Sequence, residues 1–258
     1  MNYYSTNDVY SRLDKLANHR FVWVAGNAWM LIYGDKYANA KAIVFVFGSS
    51  VRKGAPRETE RTEQSSILAR KLAMGRRIPF HIIEYNDEAD AIDSVMLDGE
   101  QVSLEALKRK FDEIGLPVRE GSVVKAINSQ GSSAYHQWQR DSLGAITVSD
   151  IDLVRMDDSL SKPIEFIELK RSFKSVSEWN PYPQDFPNFN LIVDVASKVG
   201  SNFTIAYNYH VKKPHYVDDA SKLSLFEYPS VSGGARHLGV FSFNQFVAGD
   251  HLERSSQL

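Results

Sequence analysis

The chain has 258 residues, enough for one large domain or two small ones with a sizeable core. Its composition is ordinary for a globular protein, 43% apolar and 24% charged. A net charge of −2 excludes the strongly basic footprint of a protein that coats nucleic acid nonspecifically, though not a nuclease, whose carboxylates offset its basic residues. The lack of cysteine excludes disulfides and thiolate-held metals. No apolar run is long enough to span a bilayer, and the opening MNYYSTNDVYSRL lacks the basic-then-apolar order of a secretory signal, so a cytoplasmic protein with no membrane association is expected.

Val9, Leu13 and Leu16 predict a short helix over 7–17. Strands are expected at 21–25 and 29–33. The continuous apolar run AIVFVF at 42–47 reads as a strand buried on both faces. The loop GSSVRKGAPRE follows, then a helix over 59–74 and a strand over 78–85. Residues 86–99 are acidic and loop-like, with a turn signal in LDGE. Ser103 is placed to cap an amphipathic helix over 103–114, which Gly115 and Pro117 end.

A helix over 133–143 opens the more informative half. Strands are expected at 146–156 and 163–171, joined as a hairpin by DDSLSK. An aromatic, proline-rich loop covers 175–187, a helix 188–199 and a strand 203–211. Residues 212–236 read mostly as loop, and 239–246 as a last strand with a short helix. Both halves run helix, strand, strand, helix, strand, without a clean sequence repeat.

The chemistry lies in ITVSDIDLVRM and KPIEFIELKRS. Side chains two apart on a strand share a face, so Glu168 pairs with Lys170 on one and Asp150 with Asp152 on the other. A hairpin between these strands brings carboxylates and an ammonium to one spot. Phosphodiester hydrolysis needs such a spot, because carboxylates can hold a divalent cation and an ammonium can stabilise the charge that builds on the phosphoryl group. Glu168-Leu169-Lys170 is the chain's one acid-x-Lys, and it lies in an apolar strand.

With an acid at the end of one strand, Glu-x-Lys in the next and helices on either side, residues 130–212 resemble the PD-(D/E)XK nuclease superfamily. The resemblance implies an α/β fold with a restriction-endonuclease-like mixed sheet flanked by helices at 121–258. The additional N-terminal α/β region, 1–120, would serve substrate binding or dimerisation. It implies a Mg2+-dependent endonuclease, with Mn2+ able to substitute, acting on DNA more readily than RNA. A restriction or defence role is an expectation by analogy alone. Asp152 and Glu168 would be metal ligands with the carbonyl of Leu169, and Lys170 the catalytic lysine. A homodimer fits this activity, since cutting both strands takes two centres.

Two departures stand out. Ile151 occupies the place of the usual proline, and the preceding helix, SAYHQWQRDSL, carries no Glu. Asp150 and Gln137 are candidates to supply the missing supporting group, with His136 a further substitute. Arg171, Lys174, Lys198, Arg52 and Lys53 are candidates for nucleic-acid phosphates. Trp179, Tyr182, Phe186 and Phe189 are candidates for base stacking, against the plainer role of packing a proline-rich loop. Two other readings stay open: a non-catalytic nucleic-acid-binding or nucleotide-sensing module on the same fold, and an RNA endonuclease.

Overall fold

A computed structural model describes residues 6–16, 19–118, 133–144, 146–213, 215–229 and 234–255. It is mixed α/β, with two compact units that exchange at 21/22 and 151/152. The boundary expected at 120/121 falls outside the described residues. Among the described residues, no helix is long and apolar enough to cross a membrane.

The unit spanning 22–151 is built on a mixed sheet. Its central strands are β2 (Ala28–Gly34), β3 (Ala40–Gly48) and β4 (Phe80–Tyr85). β2 and β3 are antiparallel, and β3 runs parallel to β4 through the crossover helix α2 (Pro56–Arg76). The AIVFVF run is buried along its whole length, as a strand covered on both faces must be. α2 starts earlier than its apolar spacing suggests, because Pro56 has the fixed φ that suits a first helical turn. On the face with Leu31, Tyr33 and Val44 pack α3 (Leu104–Glu113) and α4 (Ala134–Ser142), through Leu107, Phe111 and Tyr135.

Two elements of this sheet depart from the sequence reading. The stretch taken as acidic loop contains β5 (Ser94–Leu97), which forms a hairpin with β6 (Glu100–Ser103). Asp98 and Gly99 turn the chain with φ of 53° and 92°, the positive pair that a tight hairpin requires. The strand expected over 146–156 is broken. Its first part, β7 (Thr147–Asp150), pairs with β2, so α4 and β7 belong to this unit's sheet and core.

The other unit holds residues 3–21 and 152–258. Its sheet runs β1 (Phe21–Val22), β8 (Leu153–Met156), β9 (Pro163–Ser172), β10 (Asn202–Val211), β11 (Val217–Glu227) and β12 (Arg236–Ser242). β8 and β9 form the expected antiparallel hairpin. β9 and β10 are parallel, joined through α5 (Phe186–Lys198), and β11 and β12 continue antiparallel. α5 packs on one face. The other carries α6 (Phe243–Ala248) and α7 (Asp250–Ser255), with α1 (Asp8–Leu16) tied to β11 by Asp8, which accepts from the Ala220 amide at 2.9 Å. β11 occupies 217–227 of the stretch expected to be mostly loop over 212–236. Its first half, VDDASK, shows no apolar alternation because polar groups hold it: Asp218 accepts from both Arg171 and Asn208.

Candidate active site

The site grows from the geometry of β9. Glu168 and Lys170 lie in register with Ile205 and Tyr207 of β10. On the other side, Leu153 of β8 is paired with Ile167. Asp152 therefore stands one residue before β8, beside the Glu168–Lys170 segment, and its Oδ2 accepts a hydrogen bond from the Leu169 amide at 2.8 Å. From α1, the Tyr10 hydroxyl donates to the Asp152 carbonyl at 3.1 Å. The acid is thus fixed through its side chain and its backbone.

Lys170 Nζ lies 2.8 Å from Glu168 Oε1 and 5.7 Å from the Phe189 ring centroid. Asp152 and Glu168 are each 6% exposed, whereas the Lys170 side chain keeps 30% of its surface. This is a recessed pair of carboxylates with a partly open cation. Burial works against the charge on Lys170. The carboxylates of Glu168, Asp152 and Asp185 outweigh it and hold the pKa well above the ordinary lysine range. Lys170 is therefore a fixed ammonium.

Asp185 was not legible as a site residue, since it sat in a stretch read as loop. The structure starts α5 at Phe186, with Pro187 in its first turn, which places Asp185 at the helix entrance within electrostatic reach of Lys170. An Asp two residues before a proline, just ahead of an apolar helical stretch, is the helix-start signal that marks it.

The supporting candidates are placed differently. Asp150 is exposed on β7 opposite Leu31, in the other unit's sheet, and not on one continuous strand with Asp152. Gln137 is exposed on α4, where it donates to Asp141 at 2.6 Å and accepts from Arg140 at 2.9 Å. On that helix, burial pushes the His136 imidazole down to about 4 against the opposing pull of Asp150. Gln137 and Asp150 thus stand at exposed positions of α4 and β7, in the 22–151 unit.

The phosphate candidates also separate. Arg171 points to the face of β9 opposite Lys170, where it pairs with Asp218 and donates to the Thr6 carbonyl at 2.9 Å. Lys174, just beyond β9, sets its Nζ 5.4 Å from the Tyr182 ring centroid. Lys198 is exposed in the last turn of α5, about 20 Å from that helix's start. Arg52 and Lys53 pair with Glu84 at 2.6 Å and Glu88 at 3.2 Å. Of the aromatic candidates, Trp179 and Phe189 are core. Trp179 stacks on Tyr207 at 4.4 Å and 3°, while Phe189 packs against Phe186, Phe203 and Tyr228.

Among the described residues, no group of three or more His, Asp or Glu is arranged to hold a metal ion. No protein-family model matches the chain, and no match was found among curated proteins or solved structures.

Proposed function

We propose that the chain is a metal-dependent nuclease of the PD-(D/E)XK kind that hydrolyses phosphodiester bonds in DNA, with Asp152, Glu168 and Lys170 as its centre. The observation that carries this reading is the junction of Asp152 with β9. The Leu169 amide holds one carboxylate, and that residue's two neighbours in sequence supply the other carboxylate and the ammonium.

The donors fit magnesium or manganese. The recessed carboxylates of Asp152 and Glu168 and the backbone carbonyl of Leu169 are hard oxygen ligands, and magnesium accepts two or three such donors while keeping several waters. When bound, the cation neutralises charge on the phosphate and lowers the pKa of a bound water. The chain's own part is positioning and electrostatics. Tyr10 and the Leu169 amide keep Asp152 from swinging away. Lys170, whose Nζ lies 2.8 Å from Glu168 Oε1, is placed to donate to a phosphoryl or leaving oxygen. Water adds across one P–O bond, leaving a phosphate on one fragment and a hydroxyl on the other.

The test is a supercoiled plasmid incubated with purified protein in Mg2+, in Mn2+ and in EDTA, with single-stranded RNA in a parallel arm. Nicking or linearisation with either metal, stopped by EDTA, supports the proposal. Cleavage confined to RNA transfers the same centre to an RNA endonuclease. No cleavage of either polymer with any metal contradicts the proposal.

A further inference from the structure

The two units repeat one another element by element. In each, two antiparallel strands form a hairpin, a crossover helix leads to a parallel third strand, and two antiparallel strands and a helix follow. The series is β2, β3, α2, β4, β5, β6 and α3 in one unit, and β8, β9, α5, β10, β11, β12 and α6 in the other. The sheet orders agree as well, including a short outer strand beside the hairpin, β7 on β2 and β1 on β8. Such orders recur among α/β proteins, so the local details decide.

Both hairpins turn on an aspartate. The Asp35 carboxylate accepts from the amides of Tyr37 and Asn39, and that of Asp157 from the amides of Ser161 and Lys162. The carbonyls of Asp35 and Asp157 accept from Ala38 and Leu160, each at 3.0 Å, and these two hold φ of 59° and 57°, a conformation uncommon outside glycine. Both ladders then slip at the same place, between the pairs Gly34–Ala40 and Tyr33–Ala42 and between Met156–Pro163 and Arg155–Glu165. From there one constant sequence spacing carries β3 onto β9 and continues through the crossover. Ile43 is paired with Phe80 as Phe166 is with Phe203. Buried Leu68, Ala69, Leu72 and Ala73 of α2 fall on Leu191, Ile192, Val195 and Ala196 of α5. Arg77 and Gly200 follow these helices with φ of 61° and 70°, and the next amides, of Ile78 and Ser201, reach back to the carbonyls of Ala73 and Ala196.

The register carries the candidate site across. Leu31 is paired with Val44 as Leu153 is with Ile167, so Asp152 falls on Met30, Glu168 on Phe45 and Lys170 on Phe47. Those three are 0%, 1% and 9% exposed, and the rings of Phe45 and Phe47 lie 6.2 Å apart where the other unit has an ion pair. A thioether and two phenyl rings offer no hard oxygen to magnesium. We infer that 22–151 is a second copy of the candidate nuclease fold, with an apolar cluster filling its reaction centre, so that the chain brings two such folds and one metal-binding centre to its substrate. The repetition stands on backbone geometry, and the identity of the one centre rests on the nuclease reading. Each chain then cuts one strand, and a break through both strands takes a second chain or a second encounter.

The experiment titrates Mn2+ into the full chain without nucleic acid and reads the free ion by its electron paramagnetic resonance signal. Circular dichroism checks that each variant is folded. The wild type should bind Mn2+ stoichiometrically. The double variant Asp152→Asn with Glu168→Gln should lose that binding entirely, whereas Met30→Leu with Phe45→Leu should keep the wild-type stoichiometry. Stoichiometric Mn2+ retained by the first variant, or lost from the second while it is folded, would overturn the inference and leave the chain a metal-binding protein. No binding by the wild type would contradict the nuclease reading itself, and the single centre falls with it. A supercoiled plasmid in Mg2+ gives the second readout. The Asp152→Asn with Glu168→Gln variant should leave it intact, and nicked circles from that variant would place a second centre in 22–151.

Discussion

Two glutamates three residues apart on β9 meet opposite environments. Glu165 faces α6 and α7 and is fully enclosed with its partners Arg155 and His251, all at 0% exposure. Its Oε2 accepts from Arg155 Nε at 2.8 Å, and its Oε1 lies 2.7 Å from His251 Nε2. Arg155 also donates to the carbonyls of Phe246 and Val247, at 2.6 and 2.8 Å, and its guanidinium lies over the rings of Phe21 and Phe246. Glu168 faces α5 beside a partly exposed lysine and a second carboxylate. The first cluster is closed on all sides and pins the C-terminal helices to the β8–β9 hairpin. The second has a cation that keeps 30% of its side-chain surface and so a path to solvent. What separates a staple from a candidate reaction site is whether the charges are sealed from solvent.

The comparison can be broken first at Glu168. Glu168→Gln keeps the shape and removes the charge. Single-turnover cleavage should fall by about 10²- to 10³-fold or more, with an unchanged circular dichroism spectrum. A large loss of folded structure in that variant would place Glu168 with the staple. Arg155→Met should do the opposite, because it leaves the Glu165 charge buried without its guanidinium. Urea unfolding at neutral pH should show a loss of about 3–5 kcal/mol, whereas a loss under about 1 kcal/mol would mean the network behaves like an exposed ion pair.

Acid sharpens the same contrast. Burial opposes ionisation of Glu165, but the His251 hydrogen bond and charge, the Arg155 charge and a Thr204 hydrogen bond outweigh it and pull the carboxyl down to about 2. A depressed pKa means the folded state keeps this group ionised where the unfolded chain protonates it. Its contribution is complete above the ordinary value of 4.5 and drains away as pH falls from there through about 2. Urea midpoints measured down this range should drop more steeply for the wild type than for Glu165→Gln. Parallel curves would refute the assignment. The smallest effects belong to the exposed cations. Arg52→Ala should cost no more than about 1 kcal/mol, since its Glu84 partner makes a largely solvated pair. Lys198→Ala should leave cleavage within about twofold, because α5 carries it some 20 Å from the entrance where Asp185 stands.

The sequence was most legible where one local rule suffices. Alternation along KPIEFIELKRS separates Glu168 and Lys170 from Glu165 and Arg171, and the structure keeps that separation. It was least legible where long-range partners decide. ITVSDIDLVRM alternates as one strand, and nothing local announces that Thr147–Asp150 pairs with β2 while Leu153–Met156 pairs with β9. Asp150 was grouped with Asp152 for that reason. For the SEWNPYPQDFPNF aromatics the sequence leaves base stacking and loop packing side by side, because composition cannot show that Trp179 lies flat on Tyr207, twenty-eight positions away.

The most direct measurement compares single-turnover cleavage of an end-labelled DNA substrate in Mg2+ by the wild type, Asp152→Asn and Lys170→Met, each with its circular dichroism spectrum and urea midpoint recorded. The account predicts cutting by the wild type, abolished by EDTA and restored by excess Mg2+, and loss of cutting in both variants while they remain folded. Cutting at the wild-type rate by either folded variant would contradict it.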